Sequence, residues 1–225
     1  MFSPQDKLRK AIAHQFTDEA LLQQALTHRS VSNQNNERLE FLGDAVLGCV
    51  IADELFHRFP KASEGQLTRL RASLVKGETL AEIGAELSLG DCILLGSGEM
   101  KSGGHRRASI LACAVEAIIG AVYVDSGFGD AQKLIMQLYE TRLAQVSPEQ
   151  AHKDPKTRLQ EFLQSRQKPL PDYELLKAEG EAHAQTFYVL CHVDGMSGPV
   201  SGTGRSRRKA EQDAARKAYD MIATQ

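Results

Sequence analysis

Apolar positions recur at helical spacing along the first two thirds of the chain and then switch to strand-like runs. Leu8, Ile12 and Phe16 predict a short amphipathic helix over residues 6–16. Thr17 is placed to cap a second helix over 18–27, with Leu21, Leu22, Ala25 and Leu26 inward. A longer pattern opens at Asn36 and runs to about Phe59, where Pro60 ends it for want of an N–H. Ser63 and Gln66 have capping-box spacing ahead of Leu67, Leu70, Leu74 and Val75. Leu80, Ile83 and Leu87 predict a helix over 78–88 with Gly90 as its terminator. The glycine-rich stretch 96–104 reads as a flexible loop. A strongly apolar helix over 109–125 and an amphipathic one over 127–145 follow.

Residues 147–153 are polar and contain Pro148, the composition of a linker. Asp154-Pro155 then supplies an N-cap and a proline at the first helical position. Leu159, Phe162 and Leu163 face inward, and Thr157, Gln160 and Gln164 share another face. Residues 173–179, 186–193 and 200–204 are rich in β-branched and aromatic residues or close to glycine, and read as three strands. Ser206 caps a last helix in which Ala210, Ala214, Ala215 and Ala218 allow close packing. The fold class expected is multidomain: an all-α domain over 1–147, a linker over 148–152, and an α+β domain of order α-β-β-β-α over 153–225.

Charge sharpens that division. From Lys153 onward there are 12 Lys and Arg against 10 Asp and Glu; the preceding residues hold 15 against 19. An acidic first unit and a mildly basic second one suggest different jobs. The four cysteines (Cys49, Cys92, Cys113, Cys191) are scattered with no Cys-x-x-Cys pair, which argues against a zinc site or a disulfide framework. No apolar run is expected to span a membrane, and residues 1–6 lack the regions of a signal peptide. A reducing cytoplasm is the expected location.

The candidate chemistry is acidic in one unit and basic in the other. Glu37, Glu40 and Asp44 fall on one helical face at i, i+3 and i+7. Stacked like charges weaken a helix, and oxygen ligands so arranged suit a hard divalent ion such as Mg²⁺. The other reading is a solvated acidic face favoured by the helix dipole. Glu116 interrupts the apolar helix, where a carboxylate is costly unless a cation meets it. It is either a further acidic ligand beside Glu40 and Asp44 or a partly exposed glutamate. Glu64 is compatible with plain dipole stabilisation, and His28 with a structural hydrogen bond. The 96–104 stretch matches neither a Walker A nor a dinucleotide fingerprint; Lys101, Arg106 and Arg107 around it are either phosphate contacts or solvated charges. Arg207, Arg208 and Lys209 open the last helix, where cations oppose the dipole by roughly 0.3–1 kcal/mol each. They are either a site suited to anions, phosphates above all, or a solvated basic cluster.

The run Asn36-Glu37-Arg38-Leu39-Glu40-Phe41-Leu42-Gly43-Asp44-Ala45-Val46-Leu47 resembles the signature of ribonuclease III, the Mg²⁺-dependent double-stranded-RNA endonuclease. Leu22-x-x-Ala-Leu-Thr-His-Arg-Ser resembles the segment before that signature. Ala112-x-x-Val-Glu-Ala-Ile-Ile-Gly-Ala-Val-Tyr-x-Asp-Ser-Gly resembles its second acidic motif. Gly202-x-Gly-x-Ser-Arg-Arg-Lys-Ala-Glu-Gln-x-Ala-Ala resembles the double-stranded-RNA-binding domain.

The resemblance implies metal ligands Glu40, Asp44 and Glu116, with Asp44 and Glu116 catalytic and Mn²⁺ a possible substitute for Mg²⁺. It places Glu37 and Glu64 in the RNA-cutting cleft and Phe41 in the partner subunit of a homodimer. Gln160 and His183 would approach RNA minor grooves, and Arg207, Arg208 and Lys209 the phosphates between them, over about 16 bp. It implies 5′-phosphate and 3′-hydroxyl products from ribosomal RNA precursors and structured messages. One position departs: Cys113 stands where the family has an Asp. A thiol is largely protonated at neutral pH and a poor Mg²⁺ ligand. The alternative function is therefore a double-stranded-RNA-binding dimer whose cleavage is weakened or lost.

Overall fold

In the computed structural model, residues 3–148, 154–181 and 185–223 are described. They fall into two units, Met1–Ala151 and His152–Gln225.

The first unit is helical among its described residues, and local capping sets its boundaries. Helix α1 (Pro4–Ile12) starts where Ser3 Oγ accepts from the Asp6 N–H and the Asp6 carboxylate accepts from the Ser3 N–H. It ends at Ala13, whose φ of 49° is left-handed, so the expected span of 6–16 is shifted toward the N-terminus. Phe16 is buried from the following loop instead. Asp18 rather than Thr17 caps α2 (Glu19–Ala25), accepting from the Ala20 N–H. The N–H groups of Thr17 and Asp18 both donate to Asp125.

The long helix α3 (Glu37–Arg58) and the Ser63–Gln66 capping box that opens α4 (Glu64–Val75) form as expected. Helix α5 (Gly77–Glu86) stops at Leu87, and Gly90 lies beyond it in a 3₁₀ turn, Leu89–Asp91. The stretch expected to be a flexible loop is ordered: α6 (Ser97–Lys101) and a 3₁₀ turn (Gly104–Arg106) are tied together by Arg107–Glu99 at 2.8 Å. Helices α7 (Ala108–Ser126) and α8 (Phe128–Gln145) complete the unit, separated by Gly127 at φ 81°.

Helix α7 is 19 residues long and, by length and composition alone, apolar enough to cross a membrane, which corrects the expectation that no run reaches that length. Its place here is the centre of the unit, packed against α2, α3, α5 and α8. Leu47, Ile51 and Leu55 of α3 and Ile118 and Ile119 of α7 are fully buried, each contributing about 1.5–3 kcal/mol.

The second unit packs α9 (Pro155–Ser165) and α10 (Arg207–Ala223) on an antiparallel sheet of order β1-β2-β3. The strands are β1 (Asp172–Glu179), β2 (Thr186–His192) and β3 (Val200–Gly204), with a bulge in β1 between Leu175 and Lys177. Leu159, Leu163, Cys191, Val200, Ala214 and Ala218 form its core. Small residues let the layers close: a Cβ on Gly202 would sit 2.3 Å from the Ala210 carbonyl oxygen of α10. Of the expected linker, 148–152, all but Pro148 lies outside the described residues, as does His183, which falls between β1 and β2 in the sequence.

Candidate active site and RNA-binding surface

Two glycines bring the acidic residues together. A Cβ on Gly43 of α3 would lie 1.8 Å from the Glu116 carbonyl oxygen, and one on Gly120 of α7 would lie 2.1 Å from the Leu39 carbonyl oxygen. The helices therefore cross backbone against backbone, one turn from Glu40 and Glu116. Neither glycine was singled out from the sequence. The available signal was that both lie in apolar helices, where glycine costs about 1 kcal/mol relative to alanine.

At this crossing the three carboxylates act on one another. Burial pushes the Glu116 carboxyl up to about 7, and the charges of Asp44 and Glu40 push in the same direction. Among the described residues none of the three makes an ion pair, although Glu37 and Glu54 of the same helix pair with Arg29 and Arg58. No set of three Asp, Glu, His or Cys groups among the described residues is drawn closely enough to enclose an ion. The donor chemistry still fits a hard divalent cation: oxygen ligands, mutual repulsion and no internal counter-charge, with water completing the coordination as Mg²⁺ ordinarily requires.

Cys113 lies on the same face of α7, one turn before Glu116. Burial pushes its thiol up to about 12, and the neighbouring Glu40 and Glu116 carboxylates push the same way. The thiol stays protonated and adds no charge. Cys113 and Glu40 line a cavity of about 220 Å³ with His28, Arg29, Asn36 and Glu37 at the first turns of α3 and α7. Glu37 is exposed; Glu64, also exposed, accepts from the Thr68 hydroxyl one turn along α4. His28 Nδ1 lies 2.8 Å from Ser30 Oγ, and the Ser30 N–H donates to the same nitrogen, a local structural role. Phe41 points away from the core and is 81% exposed. Phe56, on the same stripe of α3, is 65% exposed.

In the second unit the basic turn sits at the start of α10. The Lys209 N–H donates to Ser206 Oγ, the expected cap. Arg207 pairs with Glu211 at 2.9 Å, and Arg208 lies 3.8 Å from Asp154. Lys209 is exposed and makes no ion pair among the described residues. Gln160 is exposed on α9. Of the remaining cations considered, Arg107 is committed to Glu99.

The similarities to known proteins cover the whole chain. A family described as ribonuclease-III-like matches residues 18–143, and the double-stranded RNA binding motif matches residues 155–222. A protein named ribonuclease 3 from Vibrio parahaemolyticus is 56% identical over 222 residues, covering 99% of each chain. One of the same name from Vibrio vulnificus is 57% identical with the same coverage. Among solved structures, the nuclease domain of ribonuclease III from Campylobacter jejuni is 45% identical with a TM-score of 0.60, covering 63% of this chain and 97% of that one. A second structure of that domain, described as flexible in a region involved in dimer formation, is 47% identical with a TM-score of 0.59, covering 60% and 95%. Two matched domains in this order and full-length identity above half leave one conclusion: the chain belongs to the ribonuclease III family of endoribonucleases.

Proposed function

We propose that the chain cleaves double-stranded RNA by hydrolysing phosphodiester bonds, leaving 5′-phosphate and 3′-hydroxyl ends. The observation that carries this is the crossing at Gly43 and Gly120, beside which the charges of Glu40 and Asp44 act on Glu116 with no ion pair to any of the three among the described residues. Mg²⁺, or Mn²⁺ in its place, would be held by these three and, when bound, lowers the pKa of attacking water and stabilises the leaving oxygen. Asp44 and Glu116 are the proposed catalytic pair. Glu116 must lose its proton to serve; its pKa is raised in the metal-free protein and a bound cation lowers it, so activity falls toward acidic pH and the fall moves to lower pH as Mg²⁺ is raised. Cys113 stands beside Glu40 as a neutral neighbour, and Glu37 and Glu64 border the cleft that receives the duplex.

The second unit supplies duplex affinity. Arg207, Arg208 and Lys209 grip phosphates at a helix N-terminus, where free N–H groups also favour anions. Gln160 and His183 approach the minor grooves. The protein works as a homodimer, each subunit cutting one strand, and the exposed apolar stripe of Phe41 and Phe56 is the face offered to the second copy. Ribosomal RNA precursors and structured messages are the proposed substrates, in the cytoplasm.

The test is a long RNA duplex with Mg²⁺, incubated with the parent chain and with Cys113→Asp. Cleavage by the parent supports the reading. Cleavage only by the Asp variant would leave the parent as a double-stranded-RNA-binding dimer. Cleavage by neither would overturn the metal assignment.

A further inference from the structure

The basic turn at the start of α10 is held by a buried acid that the mechanism above does not use. Glu211 lies one turn into α10, and its side chain is only 12% exposed. Its Oε2 accepts from Lys156 Nζ of α9 at 2.7 Å and its Oε1 from Arg207 Nε at 2.9 Å. Burial opposes its ionisation, yet the bonds from Lys156 and Arg207 prevail and keep it below the usual carboxylate range. Lys156 also stands 4.3 Å from the centroid of the Tyr173 ring, so its ammonium is engaged within the domain. Asp154 makes the matching link on the other side: it caps α9 through the Lys156 N–H and accepts from Gln212 Nε2 of α10 at 2.7 Å.

Arg207 is the informative partner. It gives Glu211 its Nε–H alone, and its side chain remains 59% exposed. A guanidinium has five N–H donors in a planar fork, so the terminal nitrogens stay available for a phosphate while Nε is fixed. A lysine at that place could not divide its donors so rigidly. On the far side, a Cβ on Gly204 would meet the Ala210 nitrogen at 2.5 Å, so β3 presses on the same turn.

We propose that Glu211 is the positioning residue of the RNA-binding surface: it anchors Arg207 by Nε, presents the guanidinium's terminal nitrogens to a backbone phosphate of duplex RNA, and keys α9 to the start of α10 through Lys156. This rests on the reading that the turn contacts phosphate. It carries a counter-intuitive consequence. Removing a negative charge beside a polyanion site ordinarily tightens binding; here removal weakens it.

The experiment measures duplex RNA binding by the full chain in chelator, so that nothing is cut, across a range of salt. One phosphate contact releases about 0.9 counterion, worth roughly fivefold in affinity between 1 M and 0.15 M salt. Glu211→Gln is expected to bind about fivefold more weakly at 0.15 M, with a salt slope shallower by about one. Arg207→Ala should show the same loss, and the double variant no more than either, because both remove one contact. Glu211→Asp keeps the charge, shortens the reach and spares the fold if the Gln variant unfolds; it too should lose slope. Tighter binding by Glu211→Gln, or parental slope and affinity in Glu211→Asp, overturns the proposal while Arg207→Ala still loses slope. A parental slope in Arg207→Ala overturns the phosphate contact itself, and the proposal with it.

Discussion

The two units treat clustered charge in opposite ways. In the nuclease unit Glu40, Asp44 and Glu116 converge without a single ion pair among the described residues, and Glu116 is driven up to about 7. In the RNA-binding unit Arg207 and Arg208 converge beside acids, Glu211 and Asp154, that hold them. The physical lesson lies in what completes each site. Unpaired, partly buried like charges are a cost that an incoming counter-ion removes, so the site gains by binding one. Pairing a surface cation through one donor sacrifices little charge and fixes direction, which suits a ligand as large and repetitive as a duplex. Metal affinity is favoured by frustration, and duplex affinity by order.

The comparison breaks most severely if the helix crossing is forced apart. Gly43→Ala drives a Cβ into the Glu116 carbonyl and should destabilise the nuclease unit by about 3 kcal/mol. Cleavage should vanish while duplex binding in chelator persists. An unchanged thermal midpoint would show that the crossing relaxes freely. Glu116→Gln probes the frustration directly. Cleavage should fall at least about 100-fold, yet the metal-free protein should become more stable at pH 8, by about 1–2 kcal/mol once partial exposure is allowed for. Loss of stability on that substitution would mean that Glu116 is satisfied after all.

The pH dependence carries the same sign. Glu116 is raised from 4.5 to about 7, so the native state binds its proton more tightly than the unfolded chain. Its stabilising contribution is complete below pH 4.5 and is lost as pH rises through about 7. Calorimetry without metal should show that decline in the parent and a flatter curve in Glu116→Gln. Added Mg²⁺ should raise the midpoint more at pH 8 than at pH 6; an equal rise at both would place the ion elsewhere. The smallest effect belongs to Lys209, which makes no ion pair among the described residues. Lys209→Ala should weaken all duplexes alike and shallow the salt slope by about one, with no change in melting temperature. A slope change in Lys209→Ala but none in Arg207→Ala would shift the phosphate contact from the held cation to the free one.

Much of the fold was legible because it is written in short-range signals. The Ser63–Gln66 box, Asp154-Pro155 and Ser206 all act where the sequence placed them, since a cap needs only neighbours a few residues away. The failures come from longer reach. Helix α2 starts one residue later than Thr17 would place it, at the Asp18 cap, and the Thr17–Asp18 backbone is pinned to Asp125, far along the chain and nearly inaccessible. The N–H of Asp18, with His14, Thr17 and Ser126 assisting, holds Asp125 down to about 2. The glycine-rich stretch became α6 and a turn because Arg107 reaches back to Glu99 and because Gly96 packs on the Ser30 carbonyl.

Sequence alone determined the candidate chemistry: which residues carry acid and base, the helical spacing that aligns Glu40 with Asp44, and the thiol that replaces an expected carboxylate at Cys113. Tertiary structure decided what those groups experience. That Glu116 is pushed to near neutrality, that the Cys113 thiol is held protonated beside Glu40, and that Glu211 restrains Arg207 all follow from which helices meet and how closely. The reason is the range of the forces. Capping and periodicity act within a turn or two of chain, whereas desolvation and charge coupling depend on neighbours in space, which only the packed helices supply.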